Sequence, residues 1–393
     1  MKLKLVPLRL MAAMMASYRK GPARPELDRA RLSQQRIALV KLDGIGDFIL
    51  ATSFLQTFRR ELPQADVTFF CRQPVGELAR QQFPGWSVVE IPLRQSTLTE
   101  ILLDGTTRRR IKAEKPFDLL LDLRTFRDCR DAAFASWIPA RQKIAFANTY
   151  PPADRWVRMP MEYRIYDQLL PLPAAEAGVP QDLQNHRTLA GWLFPQASEA
   201  GEALPQLTLD PGAREQVAAI LEARFKLPPK KPFLLVCPGT STPLKEYPAP
   251  ALAKAILAVM ATNPMPVLIA GSKSDERTTR PLHHLLQNRC AVIDTCGVFG
   301  LVQHAALISL SRAVLTMDSC HAHFAGVLGT PAVVILGDES RGWFAPWGES
   351  QTFRWLTHRP PGVDSHEAGI QDLPAGVIAQ NLIEVLMLAE TMP

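Results

Sequence analysis

The chain has 393 residues, of which 47% are hydrophobic and 21% are charged. This length exceeds one ordinary hydrophobic core and predicts two domains, and the composition is that of a soluble globular protein. The net charge of +6 divides unevenly, because residues 1–190 hold 29 Lys and Arg against 20 Asp and Glu, which gives +9 there and leaves −3 for residues 191–393. The first half suits an anionic partner, but its basic residues are dispersed without interleaved aromatics, which argues against nucleic acid.

Residues 1–34 form a basic N-terminal extension. It opens with MKLKLVPLRLMAAMMASYRK, in which Arg9 interrupts the apolar run. The remaining run is shorter than the roughly 20 residues that a membrane span needs, and no small-residue cleavage site indicates a signal peptide. Two interpretations stay open: a disordered or docked tail, and an amphipathic segment that lies on an anionic membrane face.

Residues 35–205 are predicted to form the first domain. A helix over 48–61 places Phe48, Leu55 and Phe58 on one face, and apolar strand-like runs alternate with helical stretches. The predicted strands cover 37–42, 67–71, 88–91, 119–123 and 144–146. Repeated β-α units of this kind predict a parallel sheet that is covered on both faces.

Residues 206–393 are predicted to form the second domain, near a Pro- and Ala-rich connection over 171–232 that holds one helix, 214–225. The predicted strands cover 233–237, 267–270, 292–293, 313–317 and 332–336. The predicted helices cover 249–260, 276–286, 301–311, 321–328 and 373–388. The fold class is therefore α/β, with two Rossmann-like domains expected to face a central cleft.

A glycine-containing loop separates the first strand from the helix over 48–61. Gly44 and Gly46 let a backbone approach a ligand closely. Asp47 lies at the helix N-terminus, where a carboxylate can act as a general base toward a hydroxyl or can merely cap the helix. Spacing alone leaves both roles open. The loop lacks a complete GxGxxG, so it does not predict a dinucleotide site.

Two polar loops follow the first strands of the second domain, at strand ends where open α/β sheets bind ligands. Thr240, Ser241 and Lys245 lie in the first loop. Small hydroxyl residues with a lysine suit a diphosphate, although an ordinary solvated loop fits as well. Asp275 follows the next strand, where it is placed to bind ribose hydroxyls or to cap a helix.

The loop after the strand over 313–317 carries Asp318, Ser319 and His323. A helix start there offers free N–H groups that favour an anion. His321 and His323 form a pair that is typical of metal ligands, but no third ligand is near them in the sequence. The six cysteines form no CxxC pair and are predicted to be reduced and mostly buried. No metal site is therefore predicted.

In combination these motifs resemble glycosyltransferase family 9, the ADP-heptose:lipopolysaccharide heptosyltransferases and their relatives, which have a GT-B type of α/β fold. The matching pieces are IGDFILATSFLQTFRRELPQADVTF at 45–69, FDLLLDLRTFRDC at 117–129, KIAF at 143–146, PGTSTPLKEYP at 238–248 and DSCHAHFAGVLG at 318–329. The chain departs from the family pattern at Tyr247, where the family has Trp, and at Cys320 and His321, where it has Gly-Pro.

The resemblance implies an inverting transfer by direct displacement, with ADP-heptose as the donor substrate and with no metal or other cofactor. Asp47 would deprotonate the acceptor hydroxyl. Lys245 and the two hydroxyl residues beside it would hold the diphosphate, and Asp275 would take the ribose. The residues implied for donor binding are Gly44, Gly46, Thr240, Ser241, Lys245, Asp275, Asp318, Ser319 and His323.

The resemblance also implies partners and a location. The acceptor would be an anionic glycolipid, the lipopolysaccharide inner core, at the cytoplasmic face of the inner membrane. The protein is expected in the cytoplasm, and the basic extension offers peripheral membrane contact. Arg124, Arg127 and Arg130 either meet this acceptor or form a solvated helix face. Two alternatives stay open: a catalytically silent GT-B partner that binds nucleotide sugars, and a sugar-nucleotide epimerase.

Overall fold

The computed structural model describes residues 27–92, 105–147, 162–174, 181–197, 203–337, 350–357 and 370–390, apart from 126, 128, 163 and 242. Residues 1–26 of the N-terminal extension, and with them both interpretations of its role, lie outside these ranges. The chain divides into two compact units. The first comprises Met1–Gly44, Ser53–Ala174 and Gln184–Ala203, and the second comprises Ile45–Thr52, Ala175–Leu183 and Leu204–Pro393. The predicted domain limits at residues 34 and 205 stay predictions.

The first unit is built on a six-stranded parallel sheet. Its strands are β1 (Arg36–Lys41), β2 (Asp66–Arg72), β3 (Ser87–Ile91), β4 (Phe117–Asp122), β5 (Ala140–Phe146) and β6 (Gln168–Leu170), in the order β3-β2-β1-β4-β5-β6. In the centre, Leu39 of β1 pairs with Phe69 on one side and Leu121 on the other. Helices α1 (Ile45–Glu61) and α5 (Gln181–Leu193) begin in the second unit and continue in this one, and α2 (Gly76–Gln82), α3 (Gly105–Lys112) and α4 (Cys129–Trp137) lie within it.

Aromatic rings fill one layer of the first unit's core. The ring of Phe70 lies 6.0 Å from that of Phe117 and 5.9 Å from that of Phe134, in edge-to-face arrangements. Such pairs contribute about 0.5–1.5 kcal/mol beyond the burial of their area. Because β1 is apolar on both faces, it occupies the sheet interior and fixes where its carboxyl end lies.

The second unit repeats the same plan. Its strands are β7 (Leu234–Cys237), β8 (Val267–Ile269), β9 (Val292–Asp294), β10 (Ala313–Met317), β11 (Ala332–Ile335) and β12 (Phe353–Leu356), in the order β12-β11-β10-β7-β8-β9. Every pair is parallel, and Leu315 of β10 lies between Val236 and Val333. The helices are α6 (Pro211–Phe225), α7 (Ala249–Thr262), α8 (Glu276–Leu286), α9 (Leu301–Leu310), α10 (Cys320–Leu328) and α11 (Ala375–Glu390).

Helix α11 covers one face of the second sheet. Ile378, Leu382, Val385 and Leu386 recur at helical spacing, and all four are buried in the same core as β7 and β10. Each such side chain contributes about 1.5–3 kcal/mol when it is removed from water. None of the helices in the described ranges has the length and apolarity that a bilayer span requires.

Most predicted elements are present, with small differences in their ends. Strand β10 and helix α8 have the predicted bounds, whereas α1 begins at Ile45, three residues before the predicted start. Helix α10 begins at Cys320, so the replacement of Gly-Pro leaves a regular helix start. Among the strands and α-helices of the described ranges, the sequence analysis missed β6, β12 and α5.

Candidate functional site

Three polar loops share one edge of the second sheet. Strand β7 stands between β10 and β8. Because all three strands are parallel, the loops that follow them leave the same edge of the sheet. The loop after β7 carries Thr240, Ser241 and Lys245, the loop after β8 carries Asp275, and the loop after β10 carries Asp318 and Ser319. The fold thus brings together the predicted diphosphate loop, the predicted ribose residue and the predicted nucleotide pocket.

The first two loops touch through a carboxylate and two glycines. A Cβ atom added at Gly239 would lie 2.5 Å from Cγ of Asp275, and one added at Gly271 would lie 3.0 Å from its Cβ. Both positions therefore exclude a side chain. Asp275 accepts hydrogen bonds at Oδ2 from the backbone N and Oγ of Ser272, each at 2.7 Å, and completes the capping box of the short 3-10 helix Lys273–Asp275, which precedes α8. The capping role is established, and ribose binding stays a prediction.

An ion pair joins the first loop to the third. Nζ of Lys245 lies 2.6 Å from Oδ2 of Asp318, with Lys245 32% exposed and Asp318 8% exposed. The ion pair with Asp318 thus keeps the side chain of Lys245 close to the loop after β10 instead of letting it extend into solvent. A diphosphate that binds here must either displace the Asp318 carboxylate from Lys245 or bind the ammonium group together with it, because both anions are attracted to the same cation.

His323 lies close enough to this ion pair to be influenced by both of its charges. The side chain is buried, and among the described residues its Nδ1 has no hydrogen-bond partner. Burial lowers the pKa of His323 to about 4, a shift that the charge of Asp318 opposes and that of Lys245 reinforces. His323 is therefore neutral at physiological pH and presents an imidazole rather than a second cation.

The start of helix α1 belongs to the same compact unit as these loops, which includes Ile45–Thr52. A Cβ atom added at Gly46 would lie 2.5 Å from Cδ2 of His323, so only glycine fits against the imidazole. Asp47 follows in the first turn of α1 and is partly exposed. A carboxylate is favoured at this end of a helix. The structure thereby puts the predicted base one residue from a contact with the predicted pocket, and its catalytic role stays a prediction.

The carboxyl end of β1, in the first unit, is closed by paired charges. Lys41 is buried, and its Nζ lies 3.0 Å from Oδ2 of Asp43. Arg124 approaches the same carboxylate oxygen at 3.8 Å and also pairs with Asp131. Gly44 follows this cluster directly, and a ligand-binding role for it stays a prediction.

Arg127 corrects one expectation. It was a candidate for meeting an anionic acceptor, but its guanidinium is buried, donates from Nε to Glu162 at 2.9 Å, and donates to the carbonyls of Arg124 and Phe146. These bonds satisfy a buried cation, so Arg127 is a structural residue. The side chain of Arg130 lies outside the described residues, and Arg124 is partly exposed.

Tyr247, which stands where the resembled family has Trp, ties the first loop to the end of the chain. Its hydroxyl donates a hydrogen bond of 2.6 Å to the carbonyl oxygen of Leu373, and its ring is buried in the core of the second unit. An aromatic side chain at this position therefore anchors the loop that carries Lys245.

The fold also brings together residues that the sequence analysis kept apart. Ligand atoms of Cys237, His304 and His321 all lie within 4.8 Å of one another, and the three side chains are buried. Cys237 is the last residue of β7, His304 lies in α9 and His321 in the first turn of α10. The only sequence signal was the His321–His323 pair, and the partner of His321 proves to be His304, whose ring centroid lies 4.8 Å away.

A family model matches the half of the chain that holds the three loops. Residues 183–371 match the model described as glycosyltransferase family 9 (heptosyltransferase). Over these residues the chain is similar to glycosyltransferase family 9. The family 9 region contains Lys245, Asp275, Asp318 and His323, and the predicted resemblance is thereby confirmed. Asp47 precedes the matched region.

Solved structures with the same fold extend over most of the chain. A glycosyltransferase family 9 protein from Veillonella parvula has a TM-score of 0.66 at 16% identity, covering 91% of this chain and 99% of its own. The E. coli ADP-heptose lps heptosyltransferase II has a TM-score of 0.66 at 18% identity, covering 91% and 100%. E. coli heptosyltransferase WaaC with ADP has a TM-score of 0.63 at 14% identity, covering 89% and 99%.

At these identities the likeness concerns the fold, and it confirms the predicted α/β fold of GT-B type. Among curated proteins, none matches the sequence significantly. The family match supports a glycosyltransferase, and the donor, the acceptor and the reaction course have to be argued from the site.

Proposed function

We propose that the protein is an inverting glycosyltransferase that transfers a heptose, or a related sugar, from ADP-heptose to the lipopolysaccharide core or a related glycan. The observation that carries the proposal is the convergence of Lys245, Asp275 and Asp318 on one sheet edge inside the family 9 region. A lysine, hydroxyl groups and a helix N-terminus at one strand edge together suit a sugar diphosphate.

The proposed reaction is a single displacement. The acceptor hydroxyl oxygen attacks the anomeric carbon, the bond from that carbon to the diphosphate oxygen breaks, and ADP departs with the electron pair. Asp47 takes the proton of the acceptor hydroxyl. Lys245 and the hydroxyls of Thr240 and Ser241 stabilise the charge that develops on the leaving diphosphate. We propose that this step needs no metal ion, because Lys245 and the N–H groups at the loop ends would offset the charge of the phosphates.

The proposed acceptor is an anionic glycolipid rather than nucleic acid. The +9 charge of residues 1–190 supports an anionic partner, and helix α3 adds exposed Arg109 and Arg110 to it. We place the reaction in the cytoplasm, with peripheral contact at the inner membrane face as part of the proposal.

Calorimetric titration of the purified protein with ADP, UDP and GDP tests the donor. We expect ADP to bind with at least about tenfold preference, which corresponds to about 1.4 kcal/mol. Preference for UDP or GDP would overturn ADP-heptose as the donor and leave a glycosyltransferase of another specificity. Failure of all three to bind would overturn the donor site itself.

A transfer assay then separates the remaining candidates. The protein is incubated with ADP-heptose, with and without heptose-deficient lipopolysaccharide, and the sugar products are identified by mass spectrometry. Transfer that requires the acceptor supports the proposal. Conversion of the donor sugar without an acceptor would indicate an epimerase, and tight ADP binding with neither product would indicate a silent partner protein.

A further inference from the structure

Three side chains that commonly bind transition metals converge in the interior of the second unit. Cys237, His304 and His321 come from three different elements, and their ligand atoms lie within 4.8 Å of one another. Sγ of Cys237 is 4.0 Å from Nε2 of His304. The three side chains are buried, and the proposed transfer assigns no role to any of them.

The geometry is close to that of a bound ion. For a tetrahedral zinc site, with bonds of about 2.3 Å to sulfur and 2.0–2.1 Å to nitrogen, the ligand atoms are about 3.3–3.6 Å apart. The 4.0 Å between Sγ of Cys237 and Nε2 of His304 exceeds those values by roughly half an ångström, and the other separations, at most 4.8 Å, exceed them by no more than about 1.5 Å, which side-chain rotations can close. A thiolate with two imidazoles is a donor set that selects zinc and neighbouring transition metals over magnesium or calcium.

A hydrogen bond orients one of the imidazoles. Oγ of Ser319 lies 2.8 Å from Nδ1 of His321, which leaves Nε2 as the ring nitrogen available to an ion. Ser319 in turn lies 3.3 Å from Oγ1 of Thr316, whose hydroxyl donates to the carbonyl of Cys237 at 3.1 Å. Metal-binding histidines usually have such a partner on their second nitrogen.

A histidine binds a metal ion through its neutral imidazole, and burial keeps both histidines of this cluster neutral. Burial lowers the pKa of His304 to about 3 and that of His321 to about 4, so both imidazoles are neutral. Burial also raises the pKa of Cys237 well above its ordinary value. Metal binding would therefore displace the thiol proton to solvent and form the metal–thiolate bond.

We propose that Cys237, His304 and His321 bind one Zn²⁺ ion as a structural centre of the second unit. Water or the thiol of the adjacent Cys320 completes the coordination. The ion links the end of β7 to the first turn of α10. Strand β7 leads into the loop with Lys245, and α10 begins directly after Ser319. Cys320 and His321 replace the Gly-Pro of the family 9 pattern, so the centre is a feature of this chain rather than of that pattern.

The test is metal binding, which is independent of the proposed transfer. The full chain is stripped with a chelator and titrated with Zn²⁺ in competition with a chromophoric chelator. We expect one ion per chain and a higher Tm with zinc. Cys237→Ser and His304→Gln should each weaken binding by more than about 100-fold, since loss of an outer partner alone costs 10–100-fold. Cys290→Ser and His283→Gln, in the same unit, serve as matched controls.

Cobalt supplies a second readout that does not depend on a folded variant. Co²⁺ added to the stripped native protein should give a thiolate-to-cobalt absorption band and the visible spectrum of tetrahedral cobalt. Absence of the thiolate band, or absence of zinc binding, overturns the proposal. Binding that persists undiminished in both Cys237→Ser and His304→Gln also overturns it, because the ion then lies elsewhere.

Discussion

The two sheets have the same strand order, but the charged residues at the carboxyl ends of their strands are arranged differently. Read from the appropriate edge, each sheet runs 3-2-1-4-5-6 in the order of its own strands. At the first edge, Lys41, Asp43, Arg124 and Asp131 neutralise one another in a mostly buried cluster. At the second edge, the loops carry Lys245, Asp275 and Asp318 beside glycines and hydroxyl groups, and the ion pair of Lys245 with Asp318 is partly exposed.

This difference shows how one topology serves two purposes. In a closed cluster of ion pairs each charge already has a partner of opposite sign. Such a cluster therefore has little affinity for a further charged ligand. Glycines at the second edge keep the backbone close to the site, where its N–H groups can meet phosphate oxygens. Lys245 is 32% exposed in its pair with Asp318, so its ammonium group is accessible to a ligand. The second edge is therefore the one suited to a nucleotide sugar.

The largest expected effect tests whether catalysis draws on the start of α1. Asp47→Asn removes the proposed base while it keeps the size of the side chain. We expect the transfer rate to fall by about 10²–10⁴-fold, the usual contribution of general base catalysis. Initial rates with saturating donor measure the effect, with Asp66→Asn on the exposed start of β2 as the control.

ADP affinity should remain unchanged in Asp47→Asn, because the carboxylate is assigned to the acceptor proton and not to the diphosphate. A variant with full transfer activity would remove Asp47 from the mechanism. A variant that loses ADP binding as well would instead show that Asp47 shapes the donor pocket.

The next effect tests the buried ion pair between Arg127 and Glu162 in the first unit. Arg127→Met removes a buried guanidinium and leaves Glu162 buried without its partner. We expect the free energy of unfolding to fall by about 3–5 kcal/mol. The midpoint of urea unfolding, followed by circular dichroism, measures this loss.

Arg141→Met is the matched control, because Arg141 is 80% exposed and its pair with Asp118, at 3.3 Å, is on the surface. Such a pair contributes about 0–1 kcal/mol. Equal destabilisation by the two substitutions would mean that Arg127 is not the structural residue described above.

Lys245→Ala tests the open edge of the second sheet. We expect ADP to bind more weakly by about 10–100-fold, since hydrogen bonds to a charged group contribute about 1.5–3 kcal/mol. Titration calorimetry measures the affinity, and Lys254→Ala on the exposed face of α7 is the control. An unchanged affinity would mean that the ion pair with Asp318 is the whole role of this lysine.

The smallest effect tests the anchoring of the same loop. Tyr247→Phe keeps the buried ring and removes the hydrogen bond to the carbonyl of Leu373. We expect the free energy of unfolding to fall by about 0.5–1.5 kcal/mol. Thermal unfolding of the variant beside the native protein measures it, and a loss above that range would show that the carbonyl finds no substitute partner.

Local pattern was enough to predict the elements that are apolar throughout. The run AVLTM at β10 is bounded by polar residues, so its ends were evident. Strand β12 was missed because FRWL covers only four positions and Arg354 interrupts its apolar run. Helix α5 was missed because His186 and Asn185 are buried in it, and buried polar side chains hide the apolar stripe.

The site could be predicted where a motif is continuous in sequence and not where it is assembled by the fold. Asp318, Ser319 and His323 lie in one segment, so their joint position followed from the strand that precedes them. The contact of Cys237 with His304 spans 67 residues, and that of Arg127 with Glu162 spans 35. Such pairings depend on strand order and helix packing, which hydrophobic spacing does not specify.

The close approach of Gly46 to His323 has a consequence for relatives of this protein. Because there is no room for a methyl group beside the imidazole ring, a relative with a side chain at position 46 must carry a smaller residue at position 323 or move the helix. The two positions are therefore expected to vary together across an alignment. Such covariation would reflect how tightly the start of α1 packs against α10.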